Sequence, residues 1–293
     1  RKYGKANVIK IDPLAYNICL LGEPKIGKEQ PISEPILSEN GWIPMGDLKV
    51  GDKIYGQDGN LYNVTAVYPQ GIKDVYEVTF SDGTKTRCGL EHLWHVHTKK
   101  QREMMKKNND YRFQVKSLKE IITDYKKEHH SNPYESFHYK YSVPINSEIK
   151  FIQKEELPLD PYAFGLLLGD GGFTGNTITF TNPEEELFEQ LEQLMSSLNI
   201  ELHYKDFENH KQATLCNIDN SKQNKLTDII KSFNLYGCDS RQKFIPKQYI
   251  YSSIENRIKL LSGIINTDGS VYEEVSISVS TYSNQMSKDI AEV

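Results

Sequence analysis

The chain has 293 residues, of which 38% are hydrophobic and 26% are charged, and its formal net charge is −5. This composition excludes a disordered or fibrous chain and allows about two domains with buried cores. No apolar run reaches membrane-spanning length, and the four scattered cysteines form no disulfide framework, so we expect a protein of the reducing cytoplasm.

Residues 1–28 resemble a nucleotide-binding segment of a host protein, meaning a protein that the rest of this chain interrupts. A strand-like run precedes Gly22, Gly27 and Lys28, which have the spacing of a phosphate-binding loop (P-loop). Glu29 occupies the position of the hydroxyl residue that should follow the lysine, and a carboxylate there would repel phosphates. The pattern therefore predicts a host nucleotide site that is interrupted after Lys28.

Residues 29–98 predict a compact all-β domain. Short alternating segments are separated by turn signals at Asp58-Gly59, Gln70-Gly71 and Asp82-Gly83. Many short strands with closely spaced turns are typical of a small sandwich or barrel.

A cluster of histidines near the end of this region allows zinc as an alternative. Cys88, His92, His95 and His97 lie within ten residues. On a strand, side chains at odd offsets face opposite sides, so His92 and His95 should diverge. We therefore expect no zinc site here.

Residues 99–154 are rich in lysine and arginine, with interleaved aromatic side chains. The sequence leaves two alternatives for this segment: a solvated helical linker, or a surface that contacts DNA phosphates. Neutralising Lys106 and Lys107 distinguishes the two alternatives, because the salt dependence of DNA binding should change only if this segment contacts phosphates.

Residues 155–293 contain a repeated segment. Ala163–Gly171 and Leu261–Gly269 each end an apolar, helix-compatible run with an aspartate followed by a glycine. A carboxylate at a helix C-terminus is unfavourable by up to roughly 1 kcal/mol, so its repetition suggests a bound cation. If the two helices pack side by side, Asp170 and Asp268 meet and form a site suited to Mg²⁺.

Both helices have sequence signals for their first residues. Asp160 is predicted to cap the first helix, with Pro161 at the first helical position. Ser252 and Glu255 have the spacing of a capping box for the second. Small residues on the helices, including Gly165 and Gly263, would permit close approach.

The segments after the first aspartate predict an alternation of strands and helices. Residues 177–181 and 276–280 read as matching strands, one after each aspartate. Residues 187–198 and 225–233 have helical spacing, with a strand pair at 201–207 and 212–218 between them. The predicted order is helix, two strands, helix, two strands, helix.

On these residues, the region from 155 to 293 resembles the LAGLIDADG (DOD-type) homing endonucleases in their single-chain, two-motif form. The resemblance implies an αββαββα fold, Mg²⁺ bound by Asp170 and Asp268, and hydrolysis of double-stranded DNA. Lys243 matches the family's auxiliary lysine, which would stabilise developing phosphate charge or order the attacking water. The second half of this fold is expected to be incomplete at Val293.

The region from 29 to 98 resembles the N-terminal part of a Hint (intein) splicing domain. The resemblance rests on the run Gly46–Asp52 and on the histidine block at His92. It implies that His92 acts as an acid at the first intein peptide bond. The first intein residue would be Glu29 or Gln30, where the family has cysteine or serine, which leaves either a variant route or loss of splicing.

The sequence thus predicts an α+β multi-domain chain: host segment 1–28, all-β Hint-like splicing region 29–98, basic linker 99–154 and αββαββα endonuclease 155–293. Its predicted partners are double-stranded DNA and the host protein in cis, without a membrane, and a monomer is expected. As this fragment it should neither splice nor cut well. The alternatives are a cleavage-dead DNA-binding protein of the same fold, or a P-loop ATPase fragment interrupted by an inactive intein.

Overall fold

The computed structural model divides the chain into two compact units, Arg1–Lys150 and Phe151–Val293. The structure describes residues 7–21, 28–81, 83–108, 114–129, 141–144, 146–152, 155–219, 224–272 and 276–293. The boundary between the units falls inside the predicted linker. The finer domain limits, and the Hint and LAGLIDADG fold assignments, stay predictions.

The first unit is built mainly from short antiparallel strands. They are β1 (Asn7–Leu21), β2 (Lys28–Pro31), β3 (Pro35–Ser38), β4 (Gly41–Pro44), β5 (Lys53–Tyr55), β6 (Leu61–Asn63), β7 (Ala66–Thr79), β8 (Lys85–Cys88), β9 (Leu93–Thr98), β10 (Gln114–Ser117) and β11 (Tyr141–Ser142), with helices α1 (Lys99–Asn108) and α2 (Leu118–His129). The described strands form sheets in the orders β2-β1-β7-β8, β4-β3-β5-β6 and β10-β9-β11.

One predicted turn of this unit is wrong. Gln70-Gly71 does not separate two strands, because β7 runs through it. Gly71 pairs with Asn17 and Pro69 with Ile18, so the extra residue Gln70 makes a bulge, and Gly71 has a φ of 70°. A glycine accommodates that left-handed conformation without strain, which explains why a turn signal occurs within a strand.

The second unit contains the repeated helices. Its elements are α3 (Pro161–Asp170), β12 (Gly171–Gly172), β13 (Thr179–Asn182), α4 (Glu185–Met195), β14 (Ile200–Asp206), β15 (Lys211–Asn217), α5 (Lys225–Ser232), α6 (Lys247–Ile250), α7 (Ile254–Asp268), β16 (Gly269–Tyr272), β17 (Ser276–Val279) and α8 (Asn284–Glu292). After Asp170 the order is two strands, a helix, two strands and a helix, and after Asp268 it is two strands and a helix. One sheet has the order β12-β13-β15-β14, and β16 pairs with β17.

The start of α3 is as predicted and the start of α7 is shifted by one residue. Asp160 accepts hydrogen bonds from the backbone N–H groups of Tyr162 and Ala163. The cap of α7 is Ser253, which accepts from Asn256 N, so the prediction of Ser252 is wrong. The buried Ser252 hydroxyl donates to Tyr249 O at the end of α6 instead.

Helices α3 and α7 pack against each other with glycines at the contact. A methyl group on Gly165 would overlap Leu260 O of α7, and one on Gly263 would overlap Tyr162 O of α3. Around this contact the buried side chains of both helices join one core, which includes Phe164, Leu167 and Ile264. The glycines therefore set how closely the two helices approach.

We predict that Gly263→Ala destabilises the protein by about 1–3 kcal/mol, because the added Cβ would also lie 2.8 Å from Leu166 N and force the helices apart. Helix propensity alone predicts the opposite sign, since alanine is favoured over glycine by about 1 kcal/mol. Urea unfolding followed by circular dichroism measures the difference. Gly175→Ala is the control, because its nearest neighbour would be Thr177 O at 3.4 Å. An unchanged or more stable Gly263→Ala protein would contradict the close contact.

Candidate metal and phosphate site

Asp170 is the last residue of α3, at the start of the four-stranded sheet. Its carboxylate accepts a hydrogen bond of 2.6 Å from Asn182 Nδ2, which lies on β13. Burial raises the pKa of the Asp170 carboxyl, although the Asn182 hydrogen bond and the positive charge of Lys243 oppose the shift. The side chain is thus held in one orientation in a place where its negative charge is costly.

Asp268 ends α7 in the same way, and it lies beside Asp170. Burial raises the pKa of its carboxyl, and the negative charge of Asp170 raises it further, while Lys243 lowers it. A methyl group on Gly169 of α3 would come within 3.4 Å of Asp268 Oδ2. The structure therefore brings together the two acids that the repeat predicts, although they are 98 residues apart in sequence.

Lys243 lies beneath the end of α3 and is only 5% exposed. Its ammonium donates to the backbone oxygens of Leu168 at 2.8 Å, Gly169 at 3.0 Å and Gly171 at 2.7 Å, with Leu167 O at 3.2 Å. Burial lowers the pKa of Lys243 to about 8, against the opposing effect of Asp268 and Asp170. The predicted catalytic lysine is thus present at the site, but its contacts are with main-chain carbonyls.

The two carboxylates are suited to a magnesium ion. Mg²⁺ is usually held by one or two carboxylates together with water and phosphate oxygens, rather than by a complete protein cage. No cluster of three or more histidine, cysteine, aspartate or glutamate side chains that could hold a metal occurs in the described part of the chain. A cation bound by Asp170 and Asp268 would offset the burial that raises both pKa values and the Asp170 charge that raises the pKa of Asp268 further.

Asn182 is a site residue that the sequence did not reveal. It is 5% exposed, and besides holding Asp170 it accepts from Glu184 N through Oδ1 at 2.7 Å. The only local signal is that Asn182 precedes a proline and an acidic helix start, which reads as an ordinary turn. Its contact with Asp170 depends on the pairing of β12 with β13.

The predicted splicing residues meet in the first unit. His92 Nδ1 lies 3.2 Å from Glu29 O, which also accepts from Gly89 N at 3.1 Å. The buried Glu29 carboxylate forms an ion pair with Lys73 at 2.7 Å. The Gln30 side chain donates to Thr86 Oγ1 at 3.4 Å.

The zinc alternative involves Cys88, His92, His95 and His97, and no metal-ligand cluster of three or more such side chains is found among the described residues. Cys88 is fully buried, and burial raises the pKa of its thiol to about 12, which disfavours the thiolate that zinc requires. His95 Nδ1 lies 3.1 Å from Gln57 Oε1.

Two other predicted regions lie largely outside the described residues. Gly22 and Gly27 are not described, and Lys28 is described only as the first backbone position of β2, where it pairs with Leu20. A P-loop lysine normally opens a helix, so this strand differs from the expected context. The side chains of Lys106 and Lys107 in α1 are also outside the description.

The chain is similar in sequence to two proteins that share one name. No family model matches the chain. A protein named Replicative DNA helicase DnaB from Mycobacterium intracellulare is 27% identical over 287 residues, covering 94% of this chain and 44% of that protein. Another of the same name, from Mycobacterium leprae (strain TN), is 32% identical over 78 residues, covering 26% of this chain and 13% of that protein. The chain spans less than half the length of these curated relatives.

These names overturn the identification as an intein that carries a homing endonuclease. Both relatives are named as replicative DNA helicases, and neither name describes an intein or a nuclease. The predicted endonuclease and splicing activities are therefore wrong, and the comparison favours the alternative of a P-loop ATPase. The sequence misled because an acid at the end of a small-residue helix is compatible with close packing and with cation binding, and neither property by itself specifies cleavage.

Membrane insertion receives no support from the helices. Within the described ranges, none has both the length and the apolar character needed to cross a bilayer.

Proposed function

We propose that the chain is part of a replicative-helicase-type polypeptide of the cytoplasm, and that its second unit holds DNA through a Mg²⁺ ion at Asp170 and Asp268. The similarity to proteins named Replicative DNA helicase DnaB, over 94% of this chain, supports the association with DNA. The convergence of two partly buried carboxylates at adjoining helix ends is the observation that carries the metal-dependent contact.

A polar sheet face next to the carboxylates supports contact with DNA. Across β13, β15 and β14, the register aligns Thr179 with Thr214 and His203, and Thr181 with Gln212 and Lys205. The alternate residues, including Phe180, Ala213 and Leu202, are buried in the core, so these rows lie on the opposite, accessible face. Hydroxyl, amide, imidazole and ammonium groups all donate hydrogen bonds to phosphates or base edges.

The face is connected to the metal site by the chain itself. Gly171 directly follows Asp170 and pairs with Phe180, and Gly172 pairs with Thr179. A nucleic-acid strand crossing this face would therefore pass the carboxylates, and a Mg²⁺ ion held by Asp170 and Asp268 would supply positive charge for its phosphates. Both single-stranded and duplex DNA have that phosphate chemistry.

We predict that DNA binding depends on Mg²⁺ and on both aspartates. Fluorescence anisotropy with labelled single-stranded and duplex DNA should show at least about tenfold tighter binding with Mg²⁺ than with EDTA at matched ionic strength. Asp170→Asn and Asp268→Asn should each remove the Mg²⁺ effect, whereas Glu208→Gln, an exposed acid on the β14–β15 turn, should retain it. Equal affinity in Mg²⁺ and EDTA would reject the metal-dependent contact.

Nucleotide binding by Gly22, Gly27 and Lys28 is a second candidate function, favoured by the helicase names of the relatives. Because Lys28 pairs with Leu20 in a strand, phosphate binding requires this strand to open, and we expect weak binding. Titration with a fluorescent ATP analogue should give saturable binding that Lys28→Ala removes and Lys25→Ala retains. No saturable binding by the chain would exclude this candidate.

A further inference from the structure

The Lys243 side chain has an environment that resembles a cation site more than that of a catalytic lysine. Its ammonium is surrounded by the backbone oxygens of Leu167, Leu168, Gly169 and Gly171, all between 2.7 and 3.2 Å. The group also lies 4.8 Å from the centre of the Phe173 ring, which stabilises a cation through its π-face. These contacts therefore use the three ammonium protons within the protein.

The oxygens that Lys243 contacts have a specific structural meaning. The last carbonyl groups of a helix have no partner in that helix, and they carry the negative end of its dipole. Leu168 and Gly169 supply such carbonyls at the end of α3, directly before Asp170, while Leu167 O also accepts from Gly171 N. The buried ammonium of Lys243 thus donates hydrogen bonds to the last carbonyls of α3, the helix that ends in Asp170.

The main chain of Lys243 is fixed from a different direction. Its carbonyl accepts from Ser283 Oγ at 2.6 Å, and Ser283 also caps α8 by accepting from Met286 N at 3.1 Å. Two residues on, Ile245 N donates to Asp289 Oδ2 of α8 at 2.8 Å. The lysine is therefore anchored to α8 through its backbone and to α3 through its side chain.

We propose that Lys243 is a positioning residue whose ammonium fills a carbonyl-lined monovalent-cation position at the end of α3, holding Asp170 in place and supplying positive charge beside the carboxylate pair. The effect on metal binding rests on the function proposed above. The claim that the ammonium fills a cation position does not rest on that function, because it depends only on the backbone oxygens at the end of α3.

The proposal predicts chemical rescue. Lys243→Ala removes the three terminal methylenes and the ammonium, which leaves a space shaped like n-propylammonium. With EDTA present, this variant should lose about 5 °C or more in melting temperature, and n-propylammonium should restore much of the loss, whereas choline at the same ionic strength should not. Lys243→Met is the matched control, because it fills the space without a charge and should be destabilised without rescue.

Metal binding by the same proteins separates the two proposals. Mn²⁺ titration monitored by electron paramagnetic resonance should show at least about tenfold weaker binding by Lys243→Ala, recovered with n-propylammonium. If stability is rescued but wild-type protein binds no Mn²⁺, the proposed metal function fails and the cation position stands. If n-propylammonium is no better than choline, or Lys243→Met is as stable as wild type, the positioning role is overturned.

Wild-type protein provides a test that does not depend on the folding of variants. In protein labelled with ¹⁵N-lysine, the ammonium of Lys243 should give a resolved NMR signal with hydrogen exchange slowed at least about tenfold relative to exposed lysines, because its protons are bound to buried carbonyls. An ammonium that exchanges as fast as those of exposed lysines would overturn the proposal.

Discussion

The close contact between α3 and α7 is the constraint on which the second unit depends. Gly165 and Gly263 lie where a side chain would overlap the backbone of the facing helix. Because the two helices pack this closely, their C-terminal ends lie side by side, and each helix ends in an aspartate. Packing in the core thus fixes a relation between two charged residues that no local sequence preference would place together.

The electrostatics of the site follow from this packing. Burial raises the pKa values of both Asp170 and Asp268, and the negative charge of Asp170 raises that of Asp268 further. Both carboxylates also lie at helix C-termini, where negative charge is unfavourable. The Lys243 ammonium at the end of α3 compensates part of this charge while it is protonated. A divalent ion on the accessible side would compensate the rest, which explains how an arrangement that is costly when metal-free can be maintained for a function.

The parts of this arrangement differ in how far the sequence predicts them. The repeated Asp-Gly ends come from a local pattern, and in the structure Asp170 ends α3 and Asp268 ends α7, each followed directly by a strand. Ser252 and Ser253 are adjacent, and only the hydrogen bond of Ser252 to Tyr249 O shows which one remains to cap α7. The contacts of Lys243 lie 72 to 76 residues away in sequence, with main-chain atoms whose positions no side-chain pattern encodes. Function was the least predictable, because similar helix ends serve unrelated activities.

The most direct measurement of the central claim is a double-mutant cycle of Asp170→Asn and Asp268→Asn on the unfolding free energy of metal-free protein. Raised pKa values mean that folding favours the protonated acids, so this contribution to stability is present below pH about 4 and is lost as the pH rises through the folded-state values. At neutral pH each single substitution should therefore stabilise the protein, and the double variant should gain less than the sum, by at least about 0.5 kcal/mol, since either change relieves the same repulsion. Additive changes in unfolding free energy, or stabilisation by the single substitutions that does not decrease towards pH 4, would contradict a shared carboxylate site.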